Sequence, residues 1–217
     1  MRAAAVTLAL SLALAPAASH AEDARPLTRE QALARIGAGG VEARRQAAMA
    51  LGGVGTMGDV PALVRALSDP DEGVRTSAEH SAWQVWSRSG DPAIDALFQL
   101  GLGQLNRGDP EAAIATFSVI IDKRPDFAEG WNKRATIYFL IGEYDKSLRD
   151  CDEVVKRNPD HFGVLAGYGQ IYLQLDQPER PLDYFQRALK VNPNLHQVEA
   201  AVEQLKRLIA EKRKGTI

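Results

Sequence analysis

Pro125, Pro159 and Pro193 recur every 34 positions in this 217-residue chain, and that spacing limits the possible folds more than any other feature. Other positions keep the same register: Phe117, Cys151 and Phe185; Leu97, Trp131 and Leu165; Gly101, Ala135 and Gly169; Gly108 and Gly142. A period of this length marks one supersecondary unit that cannot bury its apolar face alone and must stack on its neighbours. The residue types describe a helix–turn–helix unit. Small side chains at 101, 135 and 169 let two helices approach closely, while Gly108 and Gly142 suit the turn because glycine accepts positive φ. The closing proline stops the second helix. Asp109-Pro110-Glu111 reads as an N-cap, a proline in the first helical position and an acid at the positive end of the helix dipole. No segment shows a sustained strand pattern.

Residues 93 to 193 thereby resemble three tetratricopeptide repeats. The middle unit is most similar, with Trp131, Ala135, Tyr138, Gly142, Tyr144 and Pro159 at the family's characteristic places. The third departs from the pattern. Asp176 stands where the turn glycine is expected, and Pro178 and Pro181 crowd the second helix, which is predicted to begin late. Beyond Pro193, the stripe Leu195, Val198, Val202, Leu205 and Ile209 predicts a capping helix over 194–213 that covers the last open face of the stack.

The N-terminal half has a shorter rhythm. Ala43-Arg44-Arg45-Gln46-Ala47 and Val74-Arg75-Thr76-Ser77-Ala78 lie 31 positions apart, separated by an apolar helix ending at Ser68-Asp69-Pro70-Asp71. Residues 27–92 resemble HEAT repeats in this respect, and Thr28 to Gln31 has the form of a capping box. The expected fold class is therefore all-α, a helical-hairpin repeat solenoid. Both halves are expected to stack into one array, joined near Ser89-Gly90-Asp91-Pro92.

Residues 1–21 read as a secretory signal peptide: Met1-Arg2, an apolar run from Ala3 to Ala15, then Pro16 and Ser19-His20-Ala21. The run falls short of the roughly 20 residues a spanning helix needs, so cleavage after Ala21 and no membrane insertion thereafter are expected. The Ala-rich leader suits a bacterial periplasm. Removing Arg2 from the 26 basic residues leaves 25 against 28 acidic ones, a formal charge of 25 − 28 = −3. That near balance gives no reason to expect a nucleic acid partner. Cys151 is the only cysteine, so stability must come from packing rather than from an internal disulfide.

The chemical motifs do not form a catalytic or metal constellation. Gly53-Val54-Gly55-Thr56-Met57-Gly58 has the literal form of a dinucleotide fingerprint, whose mechanism requires a preceding strand. Here a helix precedes it and the glycines terminate that helix, so no cofactor is expected. Cys151 occupies the place of a core aromatic, and no third group is evident to orient His161 beside it. His80, His161 and His196 are scattered, without metal-ligand spacing. Glu79 and His80 are adjacent on a helix and point in different directions. Trp83 and Trp86 read as packing between repeats.

The resemblance implies ligand binding on the concave surface lined by the first helix of each repeat. Carried over residue by residue, that face comprises Phe98, Gln99 and Leu102, then Asn132, Lys133, Thr136 and Phe139, then Ala166, Gln170 and Gln174. Some family members clamp a peptide's C-terminal carboxylate, and here Asn132 and Lys133 alone resemble that set. The expected function is that of a non-enzymatic adaptor or scaffold for a protein or peptide. Two alternatives stay open: a lyase-like enzyme with a site around Glu79, His80 and Trp83, and a structural subunit of an envelope complex.

Overall fold

The computed structural model describes residues 26–177 and 179–215, with side chains to 212. The expected leader and its cleavage site lie outside the described residues. Among those residues there are eleven α-helices and no strand. The N-terminal layer consists of α1 (Arg29–Arg35), α2 (Val41–Val54), α3 (Val60–Ala66) and α4 (Glu72–Trp86), with a short 3₁₀ turn at Met57–Asp59. Three hairpins follow: α5 (Pro92–Asn106) with α6 (Pro110–Lys123), α7 (Ala128–Leu140) with α8 (Tyr144–Arg157), and α9 (Phe162–Gln174) with α10 (Glu179–Val191). The last helix, α11 (His196–Gly215), sets Val202 and Leu205 against Phe185 and caps the stack.

Local signals place the helix ends. Thr28 and Gln31 form the capping box, with Gln31 N donating to Thr28 Oγ1 at 3.3 Å and Thr28 N to Gln31 Oε1 at 3.0 Å. Asp71, Asp91 and Asp109 cap α4, α5 and α6 through backbone N–H groups of the first turn. Such caps contribute about 1 kcal/mol each. Gly52 and Gly53 lie inside α2, which runs on to Val54. A Cβ on Gly52 would meet Gln84 Oε1 at 2.1 Å, so this glycine permits the close approach of α2 and α4. The Gly53–Gly58 segment therefore joins helix to helix.

The turn position is left-handed in all three repeats, at Gly108 (φ 77°), Gly142 (φ 79°) and Asp176 (φ 51°). In the third repeat α10 is described from Glu179, and the register equivalent of Pro110 and Tyr144 lies outside the described residues. Inside each hairpin a small residue of the first helix faces a residue 16 positions later on the second. The pairs are Gly101 with Phe117, Ala135 with Cys151 and Gly169 with Phe185. Where the first partner is glycine the second is phenylalanine, and where it is alanine the second is cysteine. Space given up on one helix is filled from the other.

The two halves do not stack end to end as expected. Instead α4 folds back and runs along the turns that connect successive hairpins. Near its start, Arg75 Nε donates to Asn194 Oδ1 at 2.8 Å, and one turn on, Asn192 Nδ2 donates to Glu79 Oε2 at 3.1 Å. Another turn on, Trp83 and Trp86 pack on His161 and Phe162. Beyond the helix, Arg124 Nη2 donates to the Ser89 carbonyl at 3.2 Å. Together, α4 and the residues just after it touch the third, second and first inter-repeat turns in order. The hydrophobic core of the N-terminal layer accordingly includes Phe162, with Val191 and Leu195 packed against it. Contacts between residues more than 110 positions apart require this fold-back, because an end-on stack would bring α4 against α5 and α6 alone.

Candidate functional site

A pocket of about 140 Å³ lies between α7 and α9, floored by α8. Asn132, Thr136 and Phe139 line one wall, Gly163, Gly167 and Gln170 the other, and Ser147 and Cys151 the floor. The pocket exists because of residue size. Cys151 stands where the neighbouring repeats carry Phe117 and Phe185, and Gly163 and Gly167 add no side chain. Burial pushes the Cys151 thiol up to about 12, with the Asp150 charge adding to it, so the floor is an uncharged, weakly polar surface. The volume is well below the roughly 300–1,000 Å³ of small-molecule sites and suits one inserted side chain.

Four residues nominated on the concave face, Asn132, Thr136, Phe139 and Gln170, therefore meet in one place. Gln174 lies one turn beyond Gln170 on α9 and is exposed, as is Gln99 on α5. Leu102 is half-buried against the core of the first repeat. Phe98 is a correction. It is 1% exposed and packs edge-on against Phe117 and Phe127 at ring distances of 5.7 and 5.6 Å. At the same register position in the middle repeat Asn132 is also buried, at 8% exposure, but it keeps a place in the pocket wall.

Asn132 and Lys133 are engaged from within. Glu129, in the first turn of α7, is fully buried and accepts from Asn132 Nδ2 at 3.0 Å and from Lys133 Nζ at 2.8 Å. His161 Nε2 reaches the same carboxylate at 3.0 Å from the turn after α8. The backbone N–H of Val164 donates to His161 Nδ1 at 3.2 Å, which places the imidazole proton on Nε2, facing Glu129. Burial works against the Glu129 charge, but the His161 hydrogen bond and the nearby Lys133 ammonium outweigh it and hold the carboxyl below its ordinary range. Trp86 stacks on the imidazole at 4.3 Å, Trp83 meets it edge-on at 5.2 Å, and Lys133 Nζ lies over the Trp83 ring at 5.7 Å. The third group that the sequence did not reveal for His161 is thus Glu129. Its local signal was the spacing to Asn132 and Lys133, three and four positions on along one helix face.

This cluster ties the N-terminal layer to the middle repeat and does not assemble a nucleophile. Cys151 belongs to a different core cluster, with Val154, Val164 and Tyr168. The open enzyme alternative gains no constellation: Glu79 holds Asn192, and His80 is exposed on another side of α4. Among the described residues no group of three His, Cys, Asp or Glu side chains is arranged to hold a metal ion, and no helix is long and apolar enough to cross a membrane.

Comparison with known proteins agrees with the hairpin geometry. Residues 95–126, 128–161 and 163–195 each match a tetratricopeptide repeat model. A TPR repeat-containing protein of Rhizobium etli is 30% identical over 147 residues, covering 68% of this chain and 69% of that one. DnaJ homolog subfamily C member 3 of Homo sapiens is 25% identical over 112 residues, but this spans only 22% of its length. Among solved structures, the Sgt2 TPR domain from Aspergillus fumigatus superposes with a TM-score of 0.54 at 18% identity, covering 58% of this chain and 85% of that one. The first TPR of Spaghetti (RPAP3), bound to the HSP90 peptide SRMEEVD, gives 0.52 at 20% identity, with coverage of 54% and 93%. MamA gives 0.51 at 14%, with coverage of 69% and 99%. With three model matches in register and a relative aligned over two thirds of its own length, the chain belongs to the tetratricopeptide repeat family.

Proposed function

We propose that this protein is an exported, non-catalytic adaptor that holds a partner polypeptide along the concave groove of α7 and α9, with one apolar side chain seated on Cys151. The observation that carries the reading is the convergence of Thr136, Phe139 and Gln170 around a small pocket with a weakly polar floor. Gln170 and Gln174 are exposed one turn apart, and their amides suit the peptide groups of an extended chain. Phe139 supplies apolar area at the mouth, beside the exposed Leu140. Binding of a peptide by a structural neighbour accords with this reading. Asn132 and Lys133 point to a different mode from a carboxylate clamp, since the Asn132 amide donates to Glu129 and the Lys133 ammonium is paired with the same carboxylate. Export rests on the leader-like sequence of residues 1–21.

The test is selection of binding peptides from a random library by the chain lacking residues 1–21, followed by anisotropy titration. Thr136→Trp fills the pocket from a surface position, and affinity is expected to fall at least about tenfold, or about 1.4 kcal/mol. Gln99→Ala, on the first repeat, is expected to leave it unchanged. Peptides that bind the Thr136→Trp variant equally well would refute the groove as the site.

A further inference from the structure

A second pocket lies at the junction of the N-terminal layer and the repeat turns, away from the concave groove. It encloses about 310 Å³, and Trp86, Asn158, Arg88, Arg124 and Arg157 are in its lining. Two features are unusual. The indole Nε1–H of Trp86 and the amide Nδ2 of Asn158 are buried with no hydrogen-bond partner, although the two residues are only 3% and 4% exposed. Leaving one such donor unmatched costs about 1–3 kcal/mol, and both belong to residues that line this pocket, while Ser81 Oγ, away from it, is also unmatched. Three guanidiniums surround the space, although Asp126 is also in its lining and the Asp91 and Asp95 charges reach Arg124. Arg88 donates to the carbonyls of Gly52 and Gly55, which satisfies hydrogens without neutralising its charge. Arg124 pairs with Asp126 and Arg157 with Glu153. Of these two acids only Asp126 lines the pocket, and it is 73% exposed. Asp95 is turned to Ser89, and Asp91 caps α5. The N-terminus of α7 opens on the same space: Phe127 and Ala128 are in the lining, and Phe127 as N-cap offers no side-chain acceptor.

We propose that this junction is a binding site for a small oxyanion, a phosphate or a compact carboxylate, held by the Trp86 and Asn158 donors among the Arg88, Arg124 and Arg157 guanidiniums. The donors are N–H groups of both halves of the chain, so the anion bridges α4 to the first two inter-repeat turns. The site is distinct from the peptide groove and does not depend on it. The volume, at the lower edge of the range for small-molecule sites, favours a free small molecule over a chain segment.

The protein has three tryptophans, so ¹H–¹⁵N correlation spectra give three indole signals, with Trp86 assigned by Trp86→Phe. The chain lacking residues 1–21 is titrated with sodium phosphate, with sodium succinate and with sodium chloride at matched ionic strength. The Trp86 indole signal is expected to move saturably with phosphate, succinate or both, and not with chloride. Met57, at the pocket rim and 44% exposed, gives a variant without folding risk. Met57→Glu is expected to weaken binding at least about tenfold by adding a like charge, and Arg157→Gln to do the same by removing a cation. A response to only one of the two anions identifies its geometry and sustains the site. No saturable movement with either anion, an equal response to chloride, or a response unchanged in Met57→Glu and Arg157→Gln would overturn it.

Discussion

Replacing Gly169 with alanine should destabilise this protein, although the same change at Gly167, on the same helix, should stabilise it. The geometry sets the sign. A Cβ at Gly169 would stand 2.2 Å from Phe185 Cε1 and 2.4 Å from Cδ1, and Phe185 is wholly buried and cannot swing away. Overpacking of this kind costs about 1–3 kcal/mol, and an approach this close belongs at the upper end. The intrinsic preference of a helix for alanine over glycine returns about 1 kcal/mol, leaving a net loss of about 1–2 kcal/mol. Around Gly167 nothing lies within 4 Å, so there the helical preference acts alone. Gly101 is intermediate, with the Phe117 Cζ at 2.8 Å, and Gly101→Ala should fall between the two.

The middle repeat shows how the loss is relieved, since it pairs Ala135 with Cys151. Phe185→Cys alone should cost about 3 kcal/mol or more by opening a cavity. In the Gly169→Ala background it should cost about 1–2 kcal/mol less, because the new methyl group occupies part of that space. Urea unfolding followed by far-UV circular dichroism measures all four corners of the cycle. Additive changes, or a Gly169→Ala variant as stable as Gly167→Ala, would refute the volume exchange between the two helices.

Three further outcomes follow from named contacts. Glu129 has a folded pKa below its unfolded value, so its charge contributes stability above the unfolded value that is lost as pH falls through the folded one. Glu129→Gln should therefore cost about 1–3 kcal/mol at neutral pH and flatten the acid limb of a stability–pH profile, and an unchanged limb would exclude the pairing with His161 and Lys133. Asp176 holds φ at 51°, so Asp176→Gly should raise stability in urea unfolding by about 0.5–1 kcal/mol, and a lower midpoint would contradict the strain assigned to that turn. Asn194→Ala removes hydrogen bonds to Arg75 and to the Leu67 carbonyl, and should speed amide hydrogen exchange in α1–α4 more than in α5–α8. Uniform acceleration across both sets would show that α4 is not the clasp between them.

The repeat hairpins were legible because a stack repeats its physics. The same turn, the same close approach and the same stop recur at one fixed interval, so each position is read three times. Even Asp176, the misfit, is identified as a left-handed turn by Gly108 and Gly142. The N-terminal layer offers no such repetition against the turns it covers. Its contact face on α4 is Arg75, Glu79, Trp83 and Trp86, a helical stripe of mixed chemistry rather than an apolar one. Half of it therefore reads as solvated surface until Asn192 and Asn194 are known to lie opposite. Phe98 was misplaced for a related reason. Family register assigns a helix face, but whether that face opens to solvent depends on what the next turn sends over it, and here Phe127 closes it. The same limit applies to Trp86 and Asn158. Each looks like an ordinary core or turn residue in its own segment, and the unmatched donors appear only where α4, α8 and the start of α7 meet. Sites within one repeat can thus be read from the period, whereas sites between this layer and the repeats require the fold.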